Sequence, residues 1–298
     1  AGLVASLADL VDLRDLGDAV RLRATQPDAD RLRERLRQLR GRFTSPLLLF
    51  TGSGDYHHVA LLLLATLAAD SGPYTLVLID NHPDWFRESP PNHCGNWVAS
   101  ALDLPQVGRA VLVGQNSPDL RWHRFYHSPF ESLCDGRLTL HPFRLASRRI
   151  PLRWPACADN PARFTRHAWG TTLRFQPCDR ADQILHRLAT ELAGQRVYVS
   201  IDKDCLTPRD ATTDWEHGGF SLDGLCLGLR ELASSCQLVG ADICGDKAPD
   251  PLTGFWRRLD AGRLRHHPHD RAAAARINEI ANLALLGAFG PTDAEVPA

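Results

Sequence analysis

Methionine is absent from this 298-residue sequence, and its eight cysteines include no Cys-x-x-Cys pair. Nothing in the physical chemistry of the chain accounts for the missing methionine. The cysteine spacing excludes paired-thiolate zinc and dithiol redox motifs. It leaves Cys94, Cys134, Cys157, Cys178, Cys205, Cys226, Cys236 and Cys244 scattered, a pattern expected of reduced, mostly buried thiols and not of a disulfide scaffold. An excess of either charge is lacking too. Thirty-four basic residues stand against 35 acidic ones, for a net charge of −1, which gives no electrostatic footprint for nucleic acid. No apolar run reaches membrane-spanning length; the longest, around Val59 to Ala69, has the size of a core helix. Ala1-Gly2-Leu3 has no basic start and soon meets Asp9 and Asp12, so no secretory leader is read and a cytoplasmic protein is expected.

The chain does have acidic and imidazole side chains grouped at the ends of apolar runs. Tyr74-Thr75-Leu76-Val77-Leu78-Ile79 reads as a buried strand and runs into Asp80-Asn81-His82-Pro83-Asp84. In an extended chain, alternate side chains share a face, so Asp80, His82 and Asp84 can converge on one point. Pro83 biases His82 towards that extended geometry. Taken alone, the motif is either a metal site or a solvated acidic loop. A second β-branched run, Arg196 to Ile201, ends in Asp202-Lys203-Asp204. Ligands of open parallel sheets bind outside the carboxyl ends of the strands, which favours the metal site. A third short run, Leu47 to Phe50, leads into Thr51-Gly52-Ser53-Gly54-Asp55-Tyr56-His57-His58, and one of the two histidines supplies a further ligand from that loop. A set of carboxylates with one or two imidazoles suits manganese, and also cobalt, iron or nickel, better than a thiolate zinc site.

These motifs resemble those of the ureohydrolases, the family of arginase, agmatinase and formimidoylglutamase. The family pattern is Gly-Gly-Asp-His, Asp-Ala-His-x-Asp and Ser-x-Asp-x-Asp-x-x-Asp-Pro. Here it is matched in order by Gly52 to His57, Asp80 to Asp84, and Ser200 to Pro208. The resemblance implies an arginase-like three-layer α/β/α fold with a mainly parallel central sheet. It also implies two Mn2+ ions, with Co2+, Fe2+, Ni2+ or Zn2+ as other candidates, held by His57, Asp80, His82, Asp84, Asp202 and Asp204. The extra residue Tyr56 leaves His58 as an alternative to His57; the apolar start Val59-Ala60-Leu61 favours His57. By the family pattern Asp80 and Asp202 touch both ions, His57 and Asp84 one, and His82 and Asp204 the other. Two ions about 3.5–4 Å apart share a water and lower its pKa, giving a bridging hydroxide that attacks an sp2 carbon bonded to nitrogen. Asp84 aims it. His93, in Pro91-Asn92-His93-Cys94-Gly95, is the candidate proton shuttle, because histidine titrates near neutral pH. Glu216 and His217 lie where the family has a Gly-Gly turn near the substrate.

The chain departs from the family in one place that bears on substrate. The family's late Asp-x-x-Glu, whose glutamate holds a guanidinium, becomes Asp242-Ile243-Cys244-Gly245, followed by Asp246. Either Asp246 replaces that carboxylate or the substrate carries no guanidinium. The expected activity is therefore a binuclear manganese-dependent hydrolysis of a non-peptide C–N bond in a linear amidine or guanidino compound. Alternatives are a catalytically retired binding protein of the same fold, or a binuclear metal phosphoesterase. The last would need cations at the rim, where Lys203 and Lys247 stand out. A small-molecule substrate is expected, without nucleic-acid or membrane partners, and the resemblance implies a homo-oligomer.

The rest of the chain alternates helix and strand. An amphipathic helix opens at Asp28-Ala29-Asp30, with Leu32, Leu36 and Leu39 on one face. Helices are read over Ala181 to Ala193, from Ser221-Leu222 to Ser235, and over Arg271 to Leu286. Strands are read at Ala110 to Val113 and Gln237 to Ala241. Leu120 to Gln176, rich in proline and aromatics, gives no clear pattern. The His266-His267-Pro268-His269-Asp270 cluster reads as a polar turn and not a metal site, because no carboxylate scaffold accompanies it. No linker is evident, so residues 1–298 are expected to form a single ureohydrolase-like domain.

Overall fold

The computed structural model describes residues 12–42, 46–67, 72–87, 92–151, 164–248 and 270–290. The histidines of the 266–269 turn, Cys157 and the first eleven residues lie outside that set. Six strands form one parallel sheet: β1 (Leu48–Phe50), β2 (Tyr74–Ile79), β3 (Val107–Val113), β4 (Leu138–His141), β8 (Arg196–Asp202) and β9 (Gln237–Cys244). Their spatial order is β1-β9-β8-β2-β3-β4, with every pairing parallel. From β2 the chain moves one way to β3 and β4, and β8 then begins on the other side. The β2–β8 boundary is thus a topological switch point, the place where open α/β sheets leave a crevice.

Side chains along the central strands alternate between the two faces, which explains their continuous apolar runs. Val77, Ile79, Val197, Val199 and Ile201 pack with α6 (Ala181–Glu191), α7 (Leu222–Ser235) and α8 (Arg271–Phe289). Leu76, Leu78 and Tyr198 face the opposite way, onto α3 (Val59–Leu64), α4 (Trp97–Ala101) and the aromatic rings of Trp85 and Phe125. The helices α1 (Arg14–Val20) and α2 (Gln26–Arg40) cover α3 from outside. The fold is the three-layer α/β/α arrangement expected.

Local differences have local causes. The helix α2 starts at Gln26 because the Thr25 side chain accepts the Asp28 N–H and Pro27 occupies the first turn, where its missing N–H costs nothing. The strand β9 runs on to Cys244, pairing with Asp202 in register. The unreadable middle holds a 3₁₀ helix (Trp122–His127), α5 (Phe130–Asp135) and a separate antiparallel sheet. That sheet consists of β5 (Ser147–Ile150), β6 (Phe164–His167) and β7 (Gly170–Arg174), in the order β5-β7-β6. Cys134 departs from the expected free thiols, being disulfide-bonded. The thiols of Cys94, Cys178, Cys205, Cys226, Cys236 and Cys244 are free. No helix among the described residues is long and apolar enough to cross a membrane.

Two leucines on α7 test this layering. Leu225 is fully buried and Leu227 is 55% exposed. Leu225→Ala should cost about 2–5 kcal/mol of unfolding free energy, and Leu227→Ala should stay within about 0.5 kcal/mol, as read by urea denaturation.

Candidate metal centre

Both acidic motifs fold by the same device. Asp80 Oδ1 accepts the His82 N–H at 2.6 Å, and Asp202 Oδ1 accepts the Asp204 N–H at 2.9 Å. Each turn occupies one carboxylate oxygen as the chain leaves its strand. Asp80, His82 and Asp84 therefore do not converge by extended alternation. The chain bends at Asn81 and His82, and Asp84 adopts a left-handed backbone with φ of 44°. His57 comes from the other side, where a single 3₁₀ turn over Gly54–Tyr56 is capped by Ser53 and leads into α3. Gly54 lets this loop approach, because a Cβ there would lie 2.7 Å from Asp202 Oδ2.

His57, Asp80 and Asp84 present ligand atoms within 4.8 Å of one another, and so do Asp80, His82 and Asp204. Asp80 belongs to both groups. His57 Nδ1 lies 3.2 Å from Asp80, 3.1 Å from Asp84 and 3.7 Å from Asp202. His82 Nδ1 lies 2.8 Å from Asp204 and 3.8 Å from Asp80. Asp80, Asp84, Asp202 and Asp204 are all buried.

A relay behind the cluster fixes the His57 ring. Ser200 Oγ–H donates to Asp242 Oδ2 at 3.0 Å, so the same oxygen accepts from His57 Nε2 at 2.9 Å. A neutral His57 then carries its proton on Nε2 and turns the Nδ1 lone pair towards the carboxylates. Asp80 Oδ2 is buried there and accepts no hydrogen bond. Lone pairs facing one another out of water need a cation or a proton between them. The donor set, carboxylate oxygens plus imidazole, fits hard to borderline divalent ions. Cys244, with its thiol 3.2 Å from Asp202 Oδ2, forms a third group with His57 and Asp202. Trp97 Nε1–H donates to Asp84 Oδ2 at 2.8 Å.

Burial and crowding favour the protonated forms at the centre of the cluster. Burial raises the Asp80 carboxyl well above its ordinary range, and Asp204 and Asp84 push it further. Burial and then Asp202 bring Asp204 up to about 6. Burial alone would depress both imidazoles. For His57 the Cys244 thiol, Asp80 and Asp84 reverse that effect; for His82 it is Asp204, then Glu216 and Asp80. Both histidines end well above their usual values.

The cluster floors a cavity of about 370 Å³, whose walls include His93, Asp119, Arg124 and Trp215. His93 Nδ1 accepts the Gly95 N–H at 2.9 Å. The Glu216 carboxylate is half-exposed, 3.4 Å from His82 Nε2. Three candidates lie elsewhere. His58 does not line the cavity; it is buried beside the cluster, and burial depresses it to about 3. His217 Nδ1 bonds the Leu206 carbonyl at 3.2 Å. Asp246 pairs with the buried Lys203, which Asn282 also engages, so neither Asp246 nor Lys203 lines the cavity. Gly245 has φ of 91°, and a Cβ there would overlap Asp202 Oδ1 and the Lys203 backbone nitrogen. The family's glutamate could not stand there without displacing the Asp202 turn.

Asp119 and Arg124 were not singled out from the sequence. Asp119 follows the loop Gly114-Gln115-Asn116 beyond β3, so the strand-end rule that found Asp80 would have reached it. Arg124 lies in the stretch without a legible pattern.

No family model matches the sequence. An uncharacterized protein of Thermotoga maritima is 26% identical over 215 residues, covering 72% of this chain and 63% of that protein. The chain thus spans under two thirds of this curated relative. The proclavaminate amidino hydrolase of Streptomyces clavuligerus superposes with a TM-score of 0.56 at 14% identity, over 89% of this chain and 71% of that one. The arginase of Bacillus caldovelox gives 0.55 at 18% identity, over 96% and 82%. At such identities the likeness is one of fold: the chain has the arginase-like, ureohydrolase fold, in a divergent form.

Burial and crowding raise the affinity of His57, His82 and Asp80 for protons, and a divalent cation binding there competes with those protons. Mn2+ affinity should therefore rise with pH, and calorimetric titration near pH 7 in two buffers of different ionisation enthalpy should reveal net proton release. Identical heats in both buffers would contradict this.

Proposed function

We propose that this protein is a divalent-metal-dependent hydrolase of a C–N bond in a linear amidine or guanidino compound. The observation that carries this reading is the pair of overlapping ligand groups sharing Asp80 at the sheet's switch point. His57, Asp80 and Asp84 would hold one ion and Asp80, His82 and Asp204 the other, with Asp202 beside His57. Two divalent ions, manganese foremost, would supply Lewis acidity and lower the pKa of a water molecule towards neutrality.

The chain's own groups complete the chemistry. The Trp97 indole holds Asp84 in one orientation, so its carboxylate can align the attacking water. The Gly95 N–H on His93 Nδ1 leaves a neutral His93 with its proton on Nε2. To protonate the departing nitrogen the ring would first take a second proton at Nδ1, giving up the Gly95 contact, and would return to neutral imidazole as Nε2–H is transferred. Trp215 meets the His82 ring edge-on, with centroids 5.6 Å apart, and screens one side of the cluster from water. Glu216 and Asp119 are the rim carboxylates suited to a cationic amidinium. Gly245 favours a second reading, a binding protein that keeps the metals without turnover. The phosphoesterase reading is less favoured, since Lys203 is committed to Asp246 and Arg124 alone faces five aspartates on the described cavity lining.

A manganese-loaded screen for urea, ammonia or formamide release across guanidino, ureido and formimino compounds separates these readings. The hydrolase reading expects release from at least one class. Metal retained with no release throughout would support the binding protein. His82→Ala and Asp202→Asn should each abolish turnover and lower bound metal, whereas full activity in either would overturn the site. His93→Asn should keep its metal and lose about 10²–10⁴-fold in kcat.

A further inference from the structure

The cavity contains one strongly basic side chain. Its described lining includes Asp80, Asp84, Asp119, Asp202 and Asp204, and Arg124 is its only lysine or arginine. The Arg124 guanidinium lies over the Phe86 ring, 5.5 Å from the centroid. Among the described residues no carboxylate is within ion-pair distance of it, and no side-chain or backbone acceptor takes its N–H groups. Stacking holds a guanidinium by its face and leaves its edge donors directed sideways.

Arg124 is not a loosely tethered surface residue. It belongs to the 3₁₀ helix Trp122–His127, whose next residue, Phe125, is fully buried against Trp85 at a centroid distance of 5.2 Å. The Ser128 hydroxyl ties that turn by donating to the Phe125 carbonyl at 2.7 Å. The Arg87 N–H ties it again at the His127 carbonyl, at 2.9 Å. A fork of donors is therefore fixed on the wall of a cavity floored by carboxylates. Asp119 stands close enough to feel both the His82 imidazole and the Arg124 guanidinium.

We propose that Arg124 binds the carboxylate of the substrate, which is an amidino or guanidino acid with its C–N end over the Asp80 groups and its acid end on Arg124. The inference rests on the hydrolase reading for the identity of the other end. A planar guanidinium and a carboxylate match in bidentate geometry. The cavity's size suits one small zwitterion of this kind. Between these ends, Asp119 and Glu216 offer negative charge to the amidinium.

The test is calorimetric binding to the manganese-loaded full chain. Guanidinoacetate, guanidinopropionate and guanidinobutyrate are compared with ethyl-, propyl- and butylguanidine, which replace the carboxylate by a methyl group. The wild type should prefer at least one acid over its partner by about tenfold or more. Arg124→Gln should erase that preference while leaving the alkylguanidine affinity within about twofold, and Arg124→Lys should restore part of it as a point charge. Equal affinity for acid and alkyl partners in the wild type, no binding of either series, or a preference that survives in Arg124→Gln would each overturn the proposal. Binding and turnover separate the two claims. An Arg124-dependent preference without hydrolysis sinks the hydrolase reading alone, and hydrolysis without acid preference sinks the Arg124 site alone.

Discussion

Four aspartates brought to one buried point repel one another strongly unless positive charge lies between them. Asp80, Asp84, Asp202 and Asp204 are that group, and the ends of two adjacent parallel strands bring them there. Outside water, unpaired carboxylates are too costly to persist as anions. They must take up protons or share cations. Much of the surrounding structure serves this requirement. The Asx turns at Asp80 and Asp202 occupy one oxygen of each. The Asp242–Ser200–His57 relay aims an imidazole lone pair at the same space, and Trp97 holds Asp84.

The fold leads to this point through ordinary apolar patterning. Leu76 and Leu78 face one helical layer and Val77 and Ile79 the other, so the Asp80 end of β2 emerges in the crevice beside β8. That much was legible in the sequence, because continuous β-branched runs ending in charged residues have few other readings. The central strands and the α6, α7 and α8 helices lie close to where periodicity puts them. The mechanism of convergence was less legible. A period of two assumed an extended Asp80–Asp84 segment, whereas a turn and a left-handed Asp84 bring the same residues together. The region from Leu120 to Gln176 was illegible for a different reason. Its strands are four or five residues long, β4 at the edge of the parallel sheet and β5, β6 and β7 in a small antiparallel one, too short to show a period.

Neighbouring glycine and lysine positions set the Asp246 corner apart from the acidic cluster. At Gly245 the backbone passes so close to Asp202 and Lys203 that no side chain fits. The following Asp246 is tied to Lys203 and Asn282. Carboxylate recognition at that corner is structurally closed. The polar groups that remain, Asp119 and Arg124 on the cavity wall and Glu216 beside His82, come from loops beyond β3 and β8 and from the 3₁₀ helix before α5. Such loops vary independently of the strand ends that hold the aspartates. A chain can thus retain the arginase-like frame and its acidic cluster while its substrate contacts come from different residues.

The decisive measurement is low-temperature electron paramagnetic resonance of the full chain titrated with Mn2+, with bound metal counted in the same samples. Two overlapping ligand groups that share the Asp80 carboxylate predict two ions per chain and the spectrum of an exchange-coupled pair. A single uncoupled ion at saturation, or no bound metal, would contradict the shared centre.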